Sequence, residues 1–317
     1  MHVPIKTLLS SSKYSQGHFL AKSGICFKSM EKENYIYGFG FNEISEKAKK
    51  ASQFEALERL YATRAFHQNI EHFEGHSLEA PNKNKIFHPS EVLISNLSTF
   101  TTKSADANGL GCHYNIDQAI NHAILELIER HLLAEIWYEN GSVFEIKEKA
   151  LIHQDGWHIR FYTSFSSDVP LAIAVLMNLD ENVWVLGSAI RESLLQSIEH
   201  ATNEAFMLLE STFLEKGIAY SDDVEKRLSS LKDKNSSQAR KEFFQTKTSM
   251  KNKPLDLTKK YSTKEIIRKS LKDNPIWIVP LFKAISINVV RAMCNFAKNP
   301  RWFRGLCSEL IPSDPFC

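Results

Sequence analysis

The chain is poor in cysteine, close to electrically neutral and without a long apolar run, and each scarcity removes a class of protein. Its five cysteines (Cys26, Cys112, Cys294, Cys307 and Cys317) are odd in number, scattered, and include no C-x-x-C pair. That fits neither a disulfide framework nor a zinc site, so most are expected to be reduced and structural. A formal net charge of +2 over 317 residues gives no general attraction to nucleic acid or to an anionic membrane surface. No stretch approaches the roughly 20 apolar residues that span a bilayer, and Met1 to Leu20 lacks the sustained apolar core of a secretory signal. A soluble, cytoplasmic protein is expected. No short tandem repeat appears, and the glycine-containing loop at Asn108 to Gly111 is no P-loop, since the lysine and hydroxyl of that motif are missing from it.

The chain is 43% hydrophobic, enough for a substantial core in one large domain or two ordinary ones. Short apolar runs at Tyr35 to Gly38, Val92 to Ile94, Leu171 to Met177, Val183 to Leu186, Ile276 to Phe282 and Ile285 to Ala292 read as strands. Three longer patterns of helical period lie between them, at Ala48 to Phe66, Ala119 to Trp137 and Ser193 to Phe213. This alternation, lacking a strict strand-helix period, predicts an α+β fold with mixed sheets packed against helices. Turns are expected at Gly38-Phe39-Gly40, Asn108-Gly109 and Asn140-Gly141. From about 218 to 273 the composition turns to lysine, serine and aspartate. That stretch lacks the interleaved aromatics that stack on bases, so it reads as a solvated insertion with surface helices and not as an RNA-binding arm.

The most informative segment is AINHAILELIERHLLAEIW. Glu126, Glu129 and Arg130 fall at i, i+3 and i+4 and share one face of a helix. Ile124, Leu127 and Ile128 flank that stripe on one side and Leu125, Leu132 and Ile136 on the other, so both flanks call for burial. Neighbouring carboxylates in low dielectric repel unless a cation sits between them, and a divalent cation carrying phosphate would suit. The pattern recurs 71 positions upstream (126 minus 55) as Glu55, Glu58 and Arg59, with Phe54, Leu57 and Tyr61 beside it. The third helix carries Glu204 between Ala201 and Leu208. The loop before the second helix holds Asn108, Gly109 and Gly111, which allow close backbone approach beside a helix N-terminus able to meet a phosphate. Asp117 reads there as an N-cap. Cys112 and His113, adjacent on an extended loop, point in different directions and make a poor catalytic dyad.

The segment SADANGLGCHYNIDQAINHAILELIERHLLAEIWYENG resembles the central signature of the YcaO family. QFEALER, GSAIRESLLQSIEHATNEAF and INVVRAMCNFAKNPRWFRGLCSELIPSDPFC resemble other family blocks in the right order, so the likeness covers most of the chain. The resemblance implies a single YcaO-like domain over 1–317, interrupted by the polar insertion at about 218–273. It implies ATP and Mg2+ as cofactors and activation of a peptide amide. In the best-known cases a cysteine, serine or threonine of a precursor peptide attacks the preceding carbonyl, ATP phosphorylates the oxyanion, and loss of phosphate leaves an azoline. Carried over residue by residue, Glu55, Glu58, Glu126, Glu129 and Glu204 would gather magnesium, Arg59 and Arg130 would meet phosphate oxygens, and Asn108 would lie near the nucleotide. The carboxylate of Cys317, following Pro315-Phe316, would act as a base.

The chain departs from the family pattern in its tail, whose last residue is cysteine, and at three further places. Ala51 stands where a serine is common, with Ser52 one step off; His131 replaces an aspartate; Met207 and Leu208 occupy the turn where a glutamine is expected. They keep open a degenerate scaffold or nucleotide-binding subunit, and a thioamide-forming relative is a further alternative. A separate leader-peptide-binding partner protein is expected, with the chain in a homo-oligomer or hetero-complex.

Overall fold

Three antiparallel sheets and six helices make up the described part of the computed structural model, namely residues 4–29, 32–63, 66–67, 69–94, 108–147, 153–154, 157–164, 168–178, 183–213, 233–249, 255–284 and 287–298. The fold is α+β, as the sequence predicts, and it divides into two compact units. The first draws on Met1–Ser11, Gly17–Arg130 and Leu271–Trp302, and the second on Ser12–Gln16 and His131–Ser270.

In the first unit, β1 (Ile5–Ser11), β2 (Phe19–Ser29) and β3 (Lys32–Asn42) form a meander in that order, followed by helix α1 (Ser45–Ala62). A second sheet has the order β5-β4-β12-β13-β6, from β4 (Phe73–Ser77), β5 (Asn84–Phe87), β6 (Leu110–His113), β12 (Trp277–Ala284) and β13 (Ile287–Met293). Helix α1 packs on β2 and β3 with one face and meets β6, β12 and β13 with another. Its Leu57, Leu60 and Tyr61 join Ile25, Phe73, Phe87, Val279 and Val289 in one buried cluster. Burial stabilises each such side chain by roughly 1.5–3 kcal/mol, which holds α1 despite its polar N-terminal turn. A one-turn helix α2 (Pro89–Val92) precedes β6, and α3 (Ile116–Tyr138) follows it.

The second unit holds a sheet of order β11-β10-β9-β7, built from β7 (Val143–Glu145), β9 (Trp157–Ser164), β10 (Leu171–Asn178) and β11 (Val183–Ile190), with β8 (His153–Gln154) pairing β9. Every residue of β11 is buried, and α4 (Leu194–Phe213) lies over β10 and β11. Within the polar stretch the described residues form two helices, α5 (Lys234–Lys247) and α6 (Thr263–Leu271). Phe243 of α5 meets Trp137 edge-on at 5.0 Å, and Phe244 meets Tyr162 and Trp184 at 5.1 and 5.6 Å.

Four local expectations are corrected. Gly38-Phe39-Gly40 is not a turn but the middle of β3, where a Cβ on Gly38 or Gly40 would collide with backbone of α1 at Ser52 and Ala48. The glycines are there for close helix-strand approach. Val92 to Ile94 is not a strand: Val92 ends α2, and Ile94 makes only an isolated bridge to Thr63. The N-cap of α3 is Asn115, whose Oδ1 accepts the amides of Asp117 and Gln118; Asp117 sits in the first turn. Helix α1 stops at Ala62, short of Phe66, with an extended Thr63 as its C-cap.

Candidate functional site

Among the described residues, strands β3, β6 and β11 are each the last strand of their sheet, so each presents amides that no described strand accepts. The helix that follows each strand supplies an acceptor. Glu55 accepts from the Phe39 amide at 2.5 Å, Glu126 from Leu110 at 2.9 Å, and Glu204 from Ser188 at 2.9 Å. Every pair is separated by 16 residues. The glycines keep the same register. Gly38 and Gly40 press on α1 at Ala48, Ser52 and Ala56, Gly111 on α3 at Ala119 and Ala123, and Gly187 on α4 at Ala201 and Ala205. Counting 71 forward carries Gly40, Ala48, Ser52, Glu55, Glu58 and Arg59 onto Gly111, Ala119, Ala123, Glu126, Glu129 and Arg130. Counting 149 forward carries Gly38, Ser52, Glu55 and Ala56 onto Gly187, Ala201, Glu204 and Ala205. The chain therefore holds three copies of one edge-strand and helix unit. In the third, Met207 and Leu208 stand where the others have glutamate and arginine.

The first two copies converge. Glu58 reaches from α1 across to β6 and accepts the Cys112 amide at 2.7 Å. Glu126 holds the Leu110 amide two residues away on the same edge, a separation of about 7 Å along a strand. Burial, the nearby charge of Glu55 and only partial relief from the Cys112 amide and Arg59 push Glu58 up to about 8. Burial also holds Glu126 well above its ordinary value; Arg130 and the Leu110 amide oppose the rise, and Glu58 and Glu129 add to it. Glu129 is buried, 6% exposed. Both flanks of the stripe are buried as its pattern requires, from Ile124 and Ile128 on one side to Leu132 and Ile136 on the other.

Of the two arginines, Arg59 is exposed and Arg130 largely buried. Arg59 pairs with Glu55 and donates to the Tyr37 carbonyl at 3.2 Å, and Arg130 Nη2 lies 4.0 Å from Glu129. Asn108 precedes β6, and its carbonyl is gripped by Arg291, which donates to it from Nε at 3.2 Å and from Nη2 at 2.8 Å. Arg291 is 3% exposed and also bonds the Val92 carbonyl. Glu204 belongs to the second unit. Cys317 and the Pro-Phe tail lie outside the described residues. Cys112 is buried, and burial together with Glu58 raises its thiol far above the ordinary range, which disqualifies it as a nucleophile.

Of the departures, Ala51 is exposed, whereas Ser52 is fully buried and bonded to Ser23 at 2.7 Å and to the Lys49 carbonyl at 2.8 Å. Ser52 thus serves packing between α1 and the meander. His131 is 1% exposed, with Nε2 3.8 Å from Glu135. Two site features escape sequence reading, the backbone amides that bind the glutamates and His122. The constant 16-residue spacing was the available signal for the first. For His122 it was the position four residues before Glu126.

Among the described residues no three His, Cys, Asp or Glu side chains gather closely enough to hold a metal ion by themselves. Magnesium is commonly held by one or two carboxylates together with the phosphates of its nucleotide, so a sparse, hard-oxygen set of buried glutamates fits a magnesium-nucleotide complex. Among the described residues no helix is long and apolar enough to cross a membrane.

Comparison with known proteins agrees with this geometry. The family pattern described as YcaO cyclodehydratase, ATP- and Mg2+-binding, matches residues 82–296. No curated protein matches the chain. The structure of YcaO from Methanopyrus kandleri bound with AMPPCP and Mg2+ superposes with a TM-score of 0.62 at 14% identity, over 97% of this chain and 90% of that one. A heterocyclase in complex with substrate and cofactor gives 0.68 at 12% identity, over 93% of this chain and 50% of that one. The heterocyclase TruD gives 0.50 at 12% identity, over 72% of this chain and 34% of its own. The chain thus spans half of one heterocyclase and about a third of the other. At these identities the neighbours establish the fold, and the family match covering more than half of the sequence establishes membership: the chain belongs to the YcaO family, whose cofactors are ATP and Mg2+.

Proposed function

We propose that the whole chain acts as one YcaO-like domain that activates a peptide backbone amide with ATP, and that its product is an azoline formed from cysteine, serine or threonine of a ribosomally made precursor peptide. The observation that carries this reading is the convergence of Glu58 and Glu126 on the amides of β6, with Glu55 and Glu129 close enough to raise their pKa values. A polyanionic pocket of this kind is stable when cations occupy it. Glu55, Glu58, Glu126 and Glu129 would hold the magnesium ions. Arg59 and Arg130 would take phosphate oxygens, and Asn108 would contact the nucleotide. ATP with magnesium supplies the phosphoryl group that makes the amide oxygen a leaving group. The protein's part is to position the reactants and neutralise charge, which is most of what phosphoryl transfer requires. The carboxylate of Cys317 would take a proton from the attacking side chain. A heterocyclase neighbour is described with substrate and cofactor, which supports a peptide substrate here. A leader-binding partner protein would deliver that peptide.

A second reading, a subunit that binds nucleotide without turning it over, is favoured by Met207 and Leu208 in the third copy. Calorimetric titration with a non-hydrolysable ATP analogue, with and without magnesium, separates the readings when followed by an ATPase assay with peptide. Magnesium-dependent binding and peptide-stimulated hydrolysis, both lost in Glu126→Gln Glu129→Gln with its unfolding midpoint preserved, are expected. Undiminished turnover in that variant would sink the assigned roles. Tight binding with no hydrolysis in any peptide mixture would leave the scaffold reading.

A further inference from the structure

We propose that His122 is a nucleotide-binding residue whose imidazole N–H donates to a phosphate oxygen of bound ATP, an assignment that rests on the Glu58 and Glu126 cluster being the magnesium-nucleotide site. His122 lies four residues before Glu126 on α3, so it shares the stripe of Glu126, Glu129 and Arg130. Its Nε2 sits 3.9 Å from Oε1 of Glu58 on α1, which places the ring where the two helices face one another across the carboxylates. The His122 side chain is 46% exposed, against 13% for Glu58 and 8% for Glu129. The carboxylates therefore form the floor of the site and the imidazole its rim.

The internal register makes this position informative. Counting 71 back from His122 gives Ala51, and counting 78 forward gives His200, so two of the three copies carry an imidazole one turn before the amide-binding glutamate. In the third copy His200 Nδ1 lies 3.3 Å from Nη2 of Arg191, beside a guanidinium rather than in an apolar core. An exposed histidine recurring at one register position serves little packing. Magnesium prefers oxygen ligands, so the imidazole nitrogen suits the phosphates better than the metal. Triphosphate entering beside Glu58 and Glu126 also needs donors at the rim. Arg59 and Arg130 already share theirs with Glu55, the Tyr37 carbonyl and Glu129.

The test is calorimetric titration of the whole protein with the β,γ-methylene analogue of ATP and magnesium, for wild type, His122→Ala and His122→Gln, alongside thermal unfolding without ligand. The expected result is about tenfold weaker binding in His122→Ala, as loss of one hydrogen bond to a charged group predicts, with an unchanged unfolding midpoint. Partial recovery is expected in His122→Gln, which keeps an N–H donor. Equal affinity of wild type and His122→Ala overturns the assignment while leaving the nucleotide site standing. A lower midpoint with no recovery in His122→Gln makes the role structural and also overturns it. A deficit seen with Mn2+ but not with Mg2+ would mark a metal ligand, contrary to the proposal. Failure of the wild type to bind sinks the reading of the cluster, and this assignment with it.

Discussion

Replacing Glu58 with glutamine should flatten the dependence of stability on pH in the ligand-free protein. The carboxyl of Glu58 is pushed up to about 8 from an ordinary 4.5, mainly by burial and then by Glu55. A group whose folded value is raised favours folding fully below its unfolded pKa, and that contribution is lost as pH climbs through the folded value. Between pH 4.5 and 8, at 1.36 kcal/mol per pH unit, the loss is on the order of 5 kcal/mol. This is comparable with the whole stability of many domains. Glutamine is nearly isosteric and keeps an oxygen for the Cys112 amide, so the contact between α1 and β6 survives. Removing the charge also relieves Glu126, which Glu58 helps to raise. Urea denaturation at intervals from pH 5 to 8.5, with a chelator present, should show wild type losing several kcal/mol and the variant clearly less, with the variant the more stable protein at the alkaline end. Adding magnesium and an ATP analogue should restore the wild type at high pH. Parallel pH profiles for the two proteins would refute the account of a buried, mutually repelling carboxylate cluster.

Gly111→Ala should destabilise by about 1–3 kcal/mol, because its Cβ would meet the Ala119 carbonyl and the Ala123 amide in a tightly packed interface. Chemical denaturation measures this, and a neutral outcome would show that α3 can lift from β6 at little cost. Glu210→Ala should cost about 3 kcal/mol. This carboxylate is 2% exposed and its Oε1 accepts the Ser12 hydroxyl and the amides of Lys13 and Tyr14, all within the second unit. A loss below about 0.5 kcal/mol in the same assay would mean that water replaces those bonds.

The chain's local patterns carried the helices well. The stripes of Glu55, Glu58 and Arg59 and of Glu126, Glu129 and Arg130 were legible because a 3.6-residue period fixes which side chains share a face. The repeat at 71 residues was legible by counting alone. Strands were harder. Those rich in apolar residues, β10 to β13, and part of β3 stood out, whereas β1, β2 and β4 to β9 did not, because they carry polar residues or, in β6, a glycine, that resemble loops. Gly38 and Gly40 misled for a related reason: a glycine needed for close packing reads locally like one needed for a turn.

By itself, then, the sequence determined the acidic stripes, their burial and their repetition, all properties of residues a few positions apart or in matching register. Strand order is a matter of long-range pairing, so only the tertiary structure decided that, among the described residues, β3, β6 and β11 are sheet edges whose amides the following helices accept. The same holds for Glu58 reaching the strand of the next copy, 54 residues away, and for His122 standing opposite it. The raised pKa values of Glu58 and Glu126 followed from that meeting, since desolvation and repulsion depend on what surrounds a carboxylate and not on what precedes it in the chain.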